Sequence, residues 1–295
     1  MSTGETKEPT SATTALDADD GGGHDELSLL TSRLVSHHKR VSLLRRILSF
    51  HKTRNPKEYI NLRCSSKLFH SVLRPPPLWT SFPHSNYATL QSFLDRLEEL
   101  RGDEESSGNV PSLLFIEEGN YIEEGDYVLV NFPLSIYGAG HEKTTLVGVG
   151  LEIKGKKGDG IVEIGDLKIT GGEWHGLFAC GGMNVIMRNC AIVDCQWIGV
   201  FAASRADVSC DNLQVVGCGS SGVRSHNNAT IMLSGNGTSI QGNGTKGESD
   251  DYGLDASSFS SKFQLVTPLT KEEISTNNGG GGNWGGRGTI EQVSK

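Results

Sequence analysis

The sequence predicts a mainly β protein: a right-handed parallel β-helix with about 23 residues per rung, preceded by a small α-helical module. Three observations support this fold class. Gly176, Gly199 and Gly222 are spaced 23 residues apart, and an aliphatic residue follows each of them. Short apolar segments recur at the same spacing. The 38 glycines, which form no collagen triplet, favour many tight corners between short strands.

Apolar columns extend this repeat over three rungs. At an offset of 23 residues, apolar positions coincide in four further columns. These columns are Ile169, Ile192 and Val215; Val185, Val208 and Ile231; Met187, Cys210 and Leu233; and Leu167, Cys190 and Leu213. Rungs that stack about 4.8 Å apart place like residues in such ladders. The register continues to Gly253 and Leu254 if residues 244–252 form an insertion.

The sequence divides into three parts. Residues 1–26 are polar and acidic, and they are predicted to be a disordered tail. Residues 27–84 are predicted to form the helical module, and residues 85–295 the β-helix with a capping helix at about 89–100. Residues 27–57 contain no Asp or Glu, and their apolar residues recur at helical spacing. This basic segment is interpreted as the solvated face of a packed helix, with a membrane-surface helix and a nuclear localisation patch as alternatives.

The helical module carries the pattern of a docking motif. A second helix is predicted from about residue 58 to residue 73, and three prolines follow it. The apolar positions of the pattern are Leu44, Ile47, Leu48, Leu62, Leu68, Leu78 and Trp79. This pattern resembles an F-box, although the Leu-Pro-x-Glu opening usual in that family is missing. The resemblance implies docking on the adaptor subunit of a ubiquitin ligase; the alternative is a small helical cap whose apolar stripes only form a core.

An amphipathic segment precedes the first strands of the predicted β-helix. The apolar face of residues 89–100 consists of Leu90, Phe93, Leu94, Leu97 and Leu100. Residues 113–121 and 134–140 each form an apolar strand that includes a glycine corner. A helix followed by such strands resembles the entry to pectin-lyase-like β-helices, in which the helix covers the open end of the coil. The same resemblance raises the possibility of pectate lyase, polygalacturonase or pectin methylesterase activity.

The carboxylates on the predicted rungs do not form the pairs that such enzymes need. A lyase or glycosidase site requires carboxylates that converge on adjacent rungs. No column at the 23-residue offset contains two carboxylates on neighbouring rungs; Asp194, for example, aligns with Gly171 and Gly217. The sequence therefore predicts no catalytic, cofactor-binding or metal-binding residues and no cofactor.

Cysteines and asparagines in the columns are assigned to packing and corners. Cys195 and Cys218 share a column, and the chain lacks paired Cys-x-x-Cys ligands, so a core role is favoured over a zinc site. Asn189 and Asn212 align with Gly235 and are predicted to form a turn ladder of stacked amides.

Two features remain as candidates for ligand binding. Trp174 and Trp197 align on neighbouring rungs and form a possible ligand face, with rung packing as the alternative. The predicted insertion and the residues after it contain Glu248, Asp250, Asp251 and Asp255. A solvated acidic loop is favoured here over a weak calcium site, because the carboxylates have no ordered ligand spacing.

The net charge and the absence of targeting signals limit the functions that we expect. The formal net charge of −8 argues against a nucleic-acid-binding chain. The first residues contain no apolar stretch long enough for a signal peptide or a membrane span, so an intracellular protein, cytoplasmic or nuclear, with reduced cysteines is expected. The favoured function is a non-enzymatic recognition protein whose β-helix binds a protein target while the helical module docks on a ubiquitin-ligase adaptor. The alternatives are a polysaccharide lyase or hydrolase and a glycan- or protein-binding scaffold with no ligase role.

Overall fold

The computed structural model describes residues 78–103 and 110–294. This part of the chain is a parallel β-solenoid of about eight turns with about 24 residues per turn. The predicted tail and all of the predicted helical module up to residue 77 lie outside the described residues, and so do Leu44, Ile47, Leu48, Leu62 and Leu68.

Short strands and two helices make up the described chain. The strands, numbered in chain order, are β1 (Trp79–Phe82), β2 (Leu113–Ile116), β3 (Gly119–Ile122), β4 (Tyr127–Val130), β5 (Leu134–Tyr137), β6 (Thr144–Val147), β7 (Gly150–Lys154), β8 (Ile161–Gly165), β9 (Lys168–Thr170), β10 (Leu177–Cys180), β11 (Asn184–Arg188), β12 (Ala191–Val193), β13 (Val200–Ala202), β14 (Asp207–Asp211), β15 (Gln214–Val216), β16 (Val223–Ser225), β17 (Thr230–Ser234), β18 (Ser239–Gln241), β19 (Tyr252–Ala256), β20 (Lys262–Val266), β21 (Ser275–Thr276), β22 (Gly282–Gly286) and β23 (Thr289–Val293). The helices are α1 (Leu90–Gly102) and α2 (Lys271–Ile274).

Three parallel sheets form the sides of the solenoid. The first sheet has nine strands in the order β1-β2-β5-β8-β11-β14-β17-β20-β23. The second sheet has seven, in the order β22-β19-β16-β13-β10-β7-β4, and the third has seven, in the order β21-β18-β15-β12-β9-β6-β3. From β2 onward every third strand enters the same sheet, so each rung contributes one strand to each side, and β1 adds a further strand at the end of the first sheet.

Apolar ladders fill the interior between the three sheets. In the first sheet Val185 lies between Val162 and Val208, and in the third sheet Ile192 lies between Ile169 and Val215. All six side chains are at most 1% exposed. Alternation along each strand sends the intervening residues outward, which is the expected pattern for a strand with one buried face. The columns predicted from the 23-residue spacing are confirmed in these rungs.

Helix α1 packs against the first rungs with its apolar face inward. Leu90, Phe93, Leu94 and Leu97 are buried on this face. Its N-terminus is closed by a capping box between Thr89 and Ser92. A second cap comes from the solenoid, since the Glu123 carboxylate accepts hydrogen bonds from the backbone N–H groups of Leu90 and Gln91 at 2.7 and 3.4 Å. The carboxylate also complements the positive end of the helix dipole.

The first strand begins earlier than the predicted domain boundary. Residues 78–84 are predicted from the sequence to belong to the helical module, but Trp79–Phe82 forms β1 and pairs in parallel with β2. Trp79 lies beside Leu113, and Leu78 is 49% exposed just before the strand. The three prolines directly before Leu78 in the sequence disfavour a helix that would run on into this segment, because proline lacks the N–H that a helix interior needs.

Among the described residues, neither helix is long and apolar enough to span a membrane.

A ladder of side-chain amides links successive corners between the first and third sheets. Asp166, Asn189 and Asn212 have φ values of 55°, 51° and 53°, and Gly235 follows in the same column with φ 86°. The Asn212 amide donates to Asn189 Oδ1 at 3.2 Å, and the Asn189 amide donates to Asp166 Oδ1 at 3.0 Å. Asparagine tolerates this left-handed backbone. The predicted turn ladder is confirmed.

Two replacements of Asn212 distinguish how much the left-handed backbone and the side-chain hydrogen bonds of this corner each contribute to stability. Asn212→Ala and Asn212→Gly both remove the bonds to Asn189 and to the backbone N–H of Gly237. Only alanine adds the cost of a left-handed backbone, so we expect Asn212→Ala to lower the free energy of unfolding by about 1 kcal/mol more than Asn212→Gly. Urea unfolding followed by circular dichroism measures the difference. Equal stability of the two variants would contradict a backbone role for this corner.

Candidate binding groove

Outward-facing residues of the second sheet form one continuous column across four rungs. Phe178 pairs with Phe201, Phe201 with Arg224, and Arg224 with Asp255. The residue that precedes each of them points inward and is fully buried. The alternation of the strands therefore directs two aromatic rings, a guanidinium and a carboxylate to the same side of the solenoid.

Stacked aromatic rings form one half of this surface. The Phe178 and Phe201 rings stack with centroids 5.2 Å apart and an interplanar angle of 16°. The His175 ring meets Phe201 edge-on at 5.0 Å. Trp174 and Trp197, the predicted ligand face, stack at 5.8 Å and remain 42% and 41% exposed. The indoles are therefore packed on each other and also accessible to a ligand.

A buried ion-pair cluster forms the other half. Arg224 Nε donates to Asp255 Oδ2, and a terminal nitrogen of Arg224 donates to Asp251 Oδ1 at 3.0 Å and to Ser221 Oγ at 3.0 Å. Asp251 and Asp255 are each 2% exposed. Burial raises the pKa of the Asp255 carboxyl, and the Arg224 charge opposes that shift. Two carboxylates thus clamp one guanidinium in a fixed orientation beside the aromatic rings.

The ion-pair cluster opens into a groove of about 520 Å³. The binding groove is lined by Phe201, Arg224, His226, Asp250, Tyr252, Asp255, Ser257, Gly286 and Arg287. Its volume lies within the range of pockets that hold small ligands or the side chains of a bound segment. Its lining comes from β13, β16 and β19, from the insertion before β19, and from the end of β22 and the turn after it.

A serine and a histidine of the groove lie within hydrogen-bonding distance of each other. His226 Nδ1 lies 2.9 Å from Ser257 Oγ, and that hydroxyl donates to the backbone carbonyl of Ser225 at 3.0 Å. A hydroxyl has one proton, so the Ser225 carbonyl and the imidazole compete for the single proton of Ser257. The buried Asp251 and Asp255 each form an ion pair with Arg224. The groove therefore offers hydrogen-bonding and apolar contacts.

His175 connects the aromatic rings to the ion-pair cluster. Its Nδ1 accepts a hydrogen bond from the backbone N–H of Ile198 at 3.4 Å. Burial, with a smaller contribution from the positive charge of Arg224, lowers the pKa of His175 to about 4. The neighbouring Tyr127 has its pKa raised to about 12, chiefly by burial. The His175 imidazole is consequently neutral at pH 7 and acts as an aromatic ring and an acceptor.

We expect the protein to lose stability as the pH falls below the ordinary histidine pKa of 6.5. Between that value and about 4 the unfolded chain binds a proton at His175 and the folded chain does not, so protonation favours unfolding. An asparagine side chain at this position retains an acceptor near the place of Nδ1 without titrating. His175→Asn should therefore lose less stability between pH 7 and pH 4 than the unchanged protein, by on the order of 2 kcal/mol. Urea unfolding at several pH values gives the comparison, and identical slopes would contradict it.

The central residue of the groove, Arg224, was missed by the sequence analysis. At the 23-residue spacing Arg224 aligns with Gly247, but in the structure it pairs with Asp255, 31 positions later. The predicted insertion explains the difference, since Val223 pairs with Leu254 as the alignment of Gly253 and Leu254 had indicated. One further step along that alignment would have identified the Arg224 and Asp255 pair.

The other predicted site residues lie elsewhere. Leu78 and Trp79 lie at β1 in the first sheet, away from the second-sheet column that carries the binding groove. Cys190, Cys195, Cys210 and Cys218 are buried and unpaired in the core, as their columns indicated. The acidic insertion contributes Asp250 and Asp251 to the groove and its ion-pair cluster, so it is more than a solvated loop.

The fold defines a class, a parallel β-solenoid with a lateral binding groove. No protein-family model, no curated protein and no solved structure matches the chain.

Proposed function

We propose that this protein is a non-enzymatic recognition protein. The binding groove holds a segment of a protein target, and the predicted helical module, up to residue 77, docks on the adaptor subunit of a ubiquitin ligase. The observation that carries the first part is the column in which the stacked Phe178 and Phe201 rings continue into Arg224, because Phe201 and Arg224 both line the open groove. The second part rests on the F-box-like pattern of the sequence. The solenoid is proposed to be of the pectin-lyase-like kind.

The groove has the composition of a protein-recognition surface. Aromatic residues and arginine are the side chains that most often dominate protein interfaces, because they offer large contact area and several hydrogen bonds. Here Phe201 provides an apolar contact, while Asp250 and Arg287 add charges of opposite sign to the lining. An extended target segment with one apolar anchor and flanking charged side chains fits this arrangement.

An intracellular, cytoplasmic or nuclear, location is part of the proposal, because ubiquitin ligases act there. The five described cysteines are all free, and four of them are buried. Free buried thiols are the usual state of cysteine in reducing compartments.

Glycan binding is a second candidate, supported by the two tryptophans. Trp174 and Trp197 expose indole surface at one end of the aromatic rings, and Lys246 lies 4.9 Å from the Trp197 ring centroid. An amphipathic ring with a cation beside it can pack against the apolar face of a sugar while the ammonium binds its hydroxyl groups. The two buried carboxylates beside the groove, among the described residues, are both engaged by Arg224, so a lyase or hydrolase is the less favoured alternative.

Replacing Phe201 should remove target binding. We expect Phe201→Ala, in the full chain, to reduce recovery of the bound target at least tenfold, because a central aromatic anchor commonly contributes about 2 kcal/mol or more. The measurement is photo-cross-linking from a benzoyl-phenylalanine at residue 226, with quantitative identification of the cross-linked proteins and of the peptide attached.

Ile161→Ala is the control, because Ile161 is an exposed apolar residue that lies in the first sheet, outside the groove. Equal loss in both variants would indicate general destabilisation and contradict the groove. A different result would favour a glycan as the ligand: a defined oligosaccharide binds, Trp197→Ala abolishes that binding, and no protein is cross-linked at residue 226.

Adaptor docking is tested separately at Leu48. In the full chain we expect Leu48→Asp to abolish co-purification of the ligase adaptor, because a charge at an apolar docking position must be desolvated without a partner. Leu29→Asp is the control, since it makes the same change outside the F-box-like positions. Adaptor recovery that is unchanged by Leu48→Asp, or no recovery with either chain, would overturn the ligase part while leaving the binding groove to its own test.

A further inference from the structure

We propose that Glu248, Asp250 and Asp251 bind a calcium ion at the rim of the binding groove. All three lie in the segment that precedes β19. Glu248 and Asp250 are exposed, and Asp251 is buried at the base of the segment. The proposal concerns a metal site, and it does not depend on which ligand the groove binds.

The spacing of the carboxylates fits one calcium ion. One ligand oxygen from each residue lies within 4.8 Å of those from the other two. Calcium binds oxygen at 2.3 to 2.6 Å, so two ligands of the same ion are separated by at most about 5 Å. Carboxylates are also the ligand type that calcium prefers, and water can complete its six to eight positions. Magnesium is less suited, because it binds closer ligands in strict octahedral geometry and retains most of its water.

A buried oxygen without a partner provides an independent indication of a ligand. Asp251 is 2% exposed, and its Oδ1 accepts hydrogen bonds from Ser220 Oγ and from Arg224. Its Oδ2 is buried and has no hydrogen-bond partner among the described residues. An unsatisfied buried carboxylate oxygen is costly, so such atoms are normally paired or coordinate a metal. A cation shared with Glu248 and Asp250 satisfies this oxygen without disturbing the bonds at Oδ1.

The local charge also favours a divalent cation. Asp255 adds a fourth carboxylate to the three proposed ligands, and Arg224 is the one guanidinium that pairs with members of this group in the described chain. The four carboxylates and the one guanidinium together carry three net negative charges. Lys246 is positioned over the Trp197 ring and not over the carboxylates. A bound Ca²⁺ would reduce the excess to a single negative charge.

The rungs on either side hold the segment in place. The buried Asn243, at its start, accepts from the backbone N–H of Cys218 and donates to the carbonyl of Val215 at 3.0 and 3.2 Å. At its end the Asp251 carbonyl accepts from the backbone N–H of Gly281 at 2.7 Å, and its own N–H donates to the Glu248 carbonyl at 3.1 Å. The ligands are therefore presented by a preorganised turn, which lowers the entropic cost of binding.

Calcium titration of the full chain tests the site. After treatment with a chelator, isothermal titration with calcium chloride should show one ion per chain, with a dissociation constant between about 10 µM and 1 mM. Terbium should bind at the same site with luminescence sensitised by Tyr252, which directly follows Asp251 in sequence. Saturating calcium should raise the melting temperature by about 3 °C or more.

The variant Glu248→Gln/Asp250→Asn should weaken calcium binding at least tenfold and remove the melting-temperature shift. Both side chains are exposed, so the variant is expected to fold. Glu124→Gln/Asp126→Asn makes the same chemical changes at exposed positions near α1 and should bind calcium as the unchanged chain does. No saturable binding up to about 10 mM calcium, or equal binding by the two double variants, would overturn the proposal.

Discussion

Parallel main-chain hydrogen bonding between successive rungs is the constraint on which the whole structure depends. Each strand is fixed in register by the strand one rung before and one rung after, as Val185 is by Val162 and Val208. A register shift of one residue would turn every apolar side chain of that strand outward, so the buried ladders make the register unique. The same register aligns the outward side chains, and the column from Phe178 to Asp255 is a direct result.

The sequence predicted the architecture well because the repeat is uninterrupted where the apolar columns are most regular. Gly176, Gly199 and Gly222 identify three rungs, and the positive φ values of Asn189 and Asn212 agree with the corner role assigned to them. Columns depend only on spacing, which a sequence displays directly. The parallel solenoid and its inward residues could therefore be derived without coordinates.

The groove could be predicted only in part, because its key contacts cross an irregularity in the repeat. Arg224 pairs with a residue beyond the insertion, so a constant spacing misplaces its partner. Asp251 belongs to no column at all, and its contact with Arg224 depends on the path of the insertion. His175 meets Phe201 diagonally between rungs, a contact that corner geometry decides. The alignment of Trp174 with Trp197 followed from the 23-residue spacing. Phe178, Phe201 and Arg224 have the same spacing and also pair in the structure, although they were not identified as a candidate site from the sequence. The helical module, outside the described residues, stays a prediction.

Because Asn243 is anchored, the segment before β19 can vary in length and sequence without a change in the solenoid. Its first residue is fixed by buried hydrogen bonds to the preceding rung, and its last residues enter a strand that is paired on both sides. The distance between its two ends is thus set by the solenoid and not by the segment's own sequence. Related chains could vary its length and charge at little cost in folding free energy, since loop closure depends only weakly on length. The binding specificity could therefore change through this segment while the solenoid stays the same, as antibody specificity changes through loops on a constant β-sandwich.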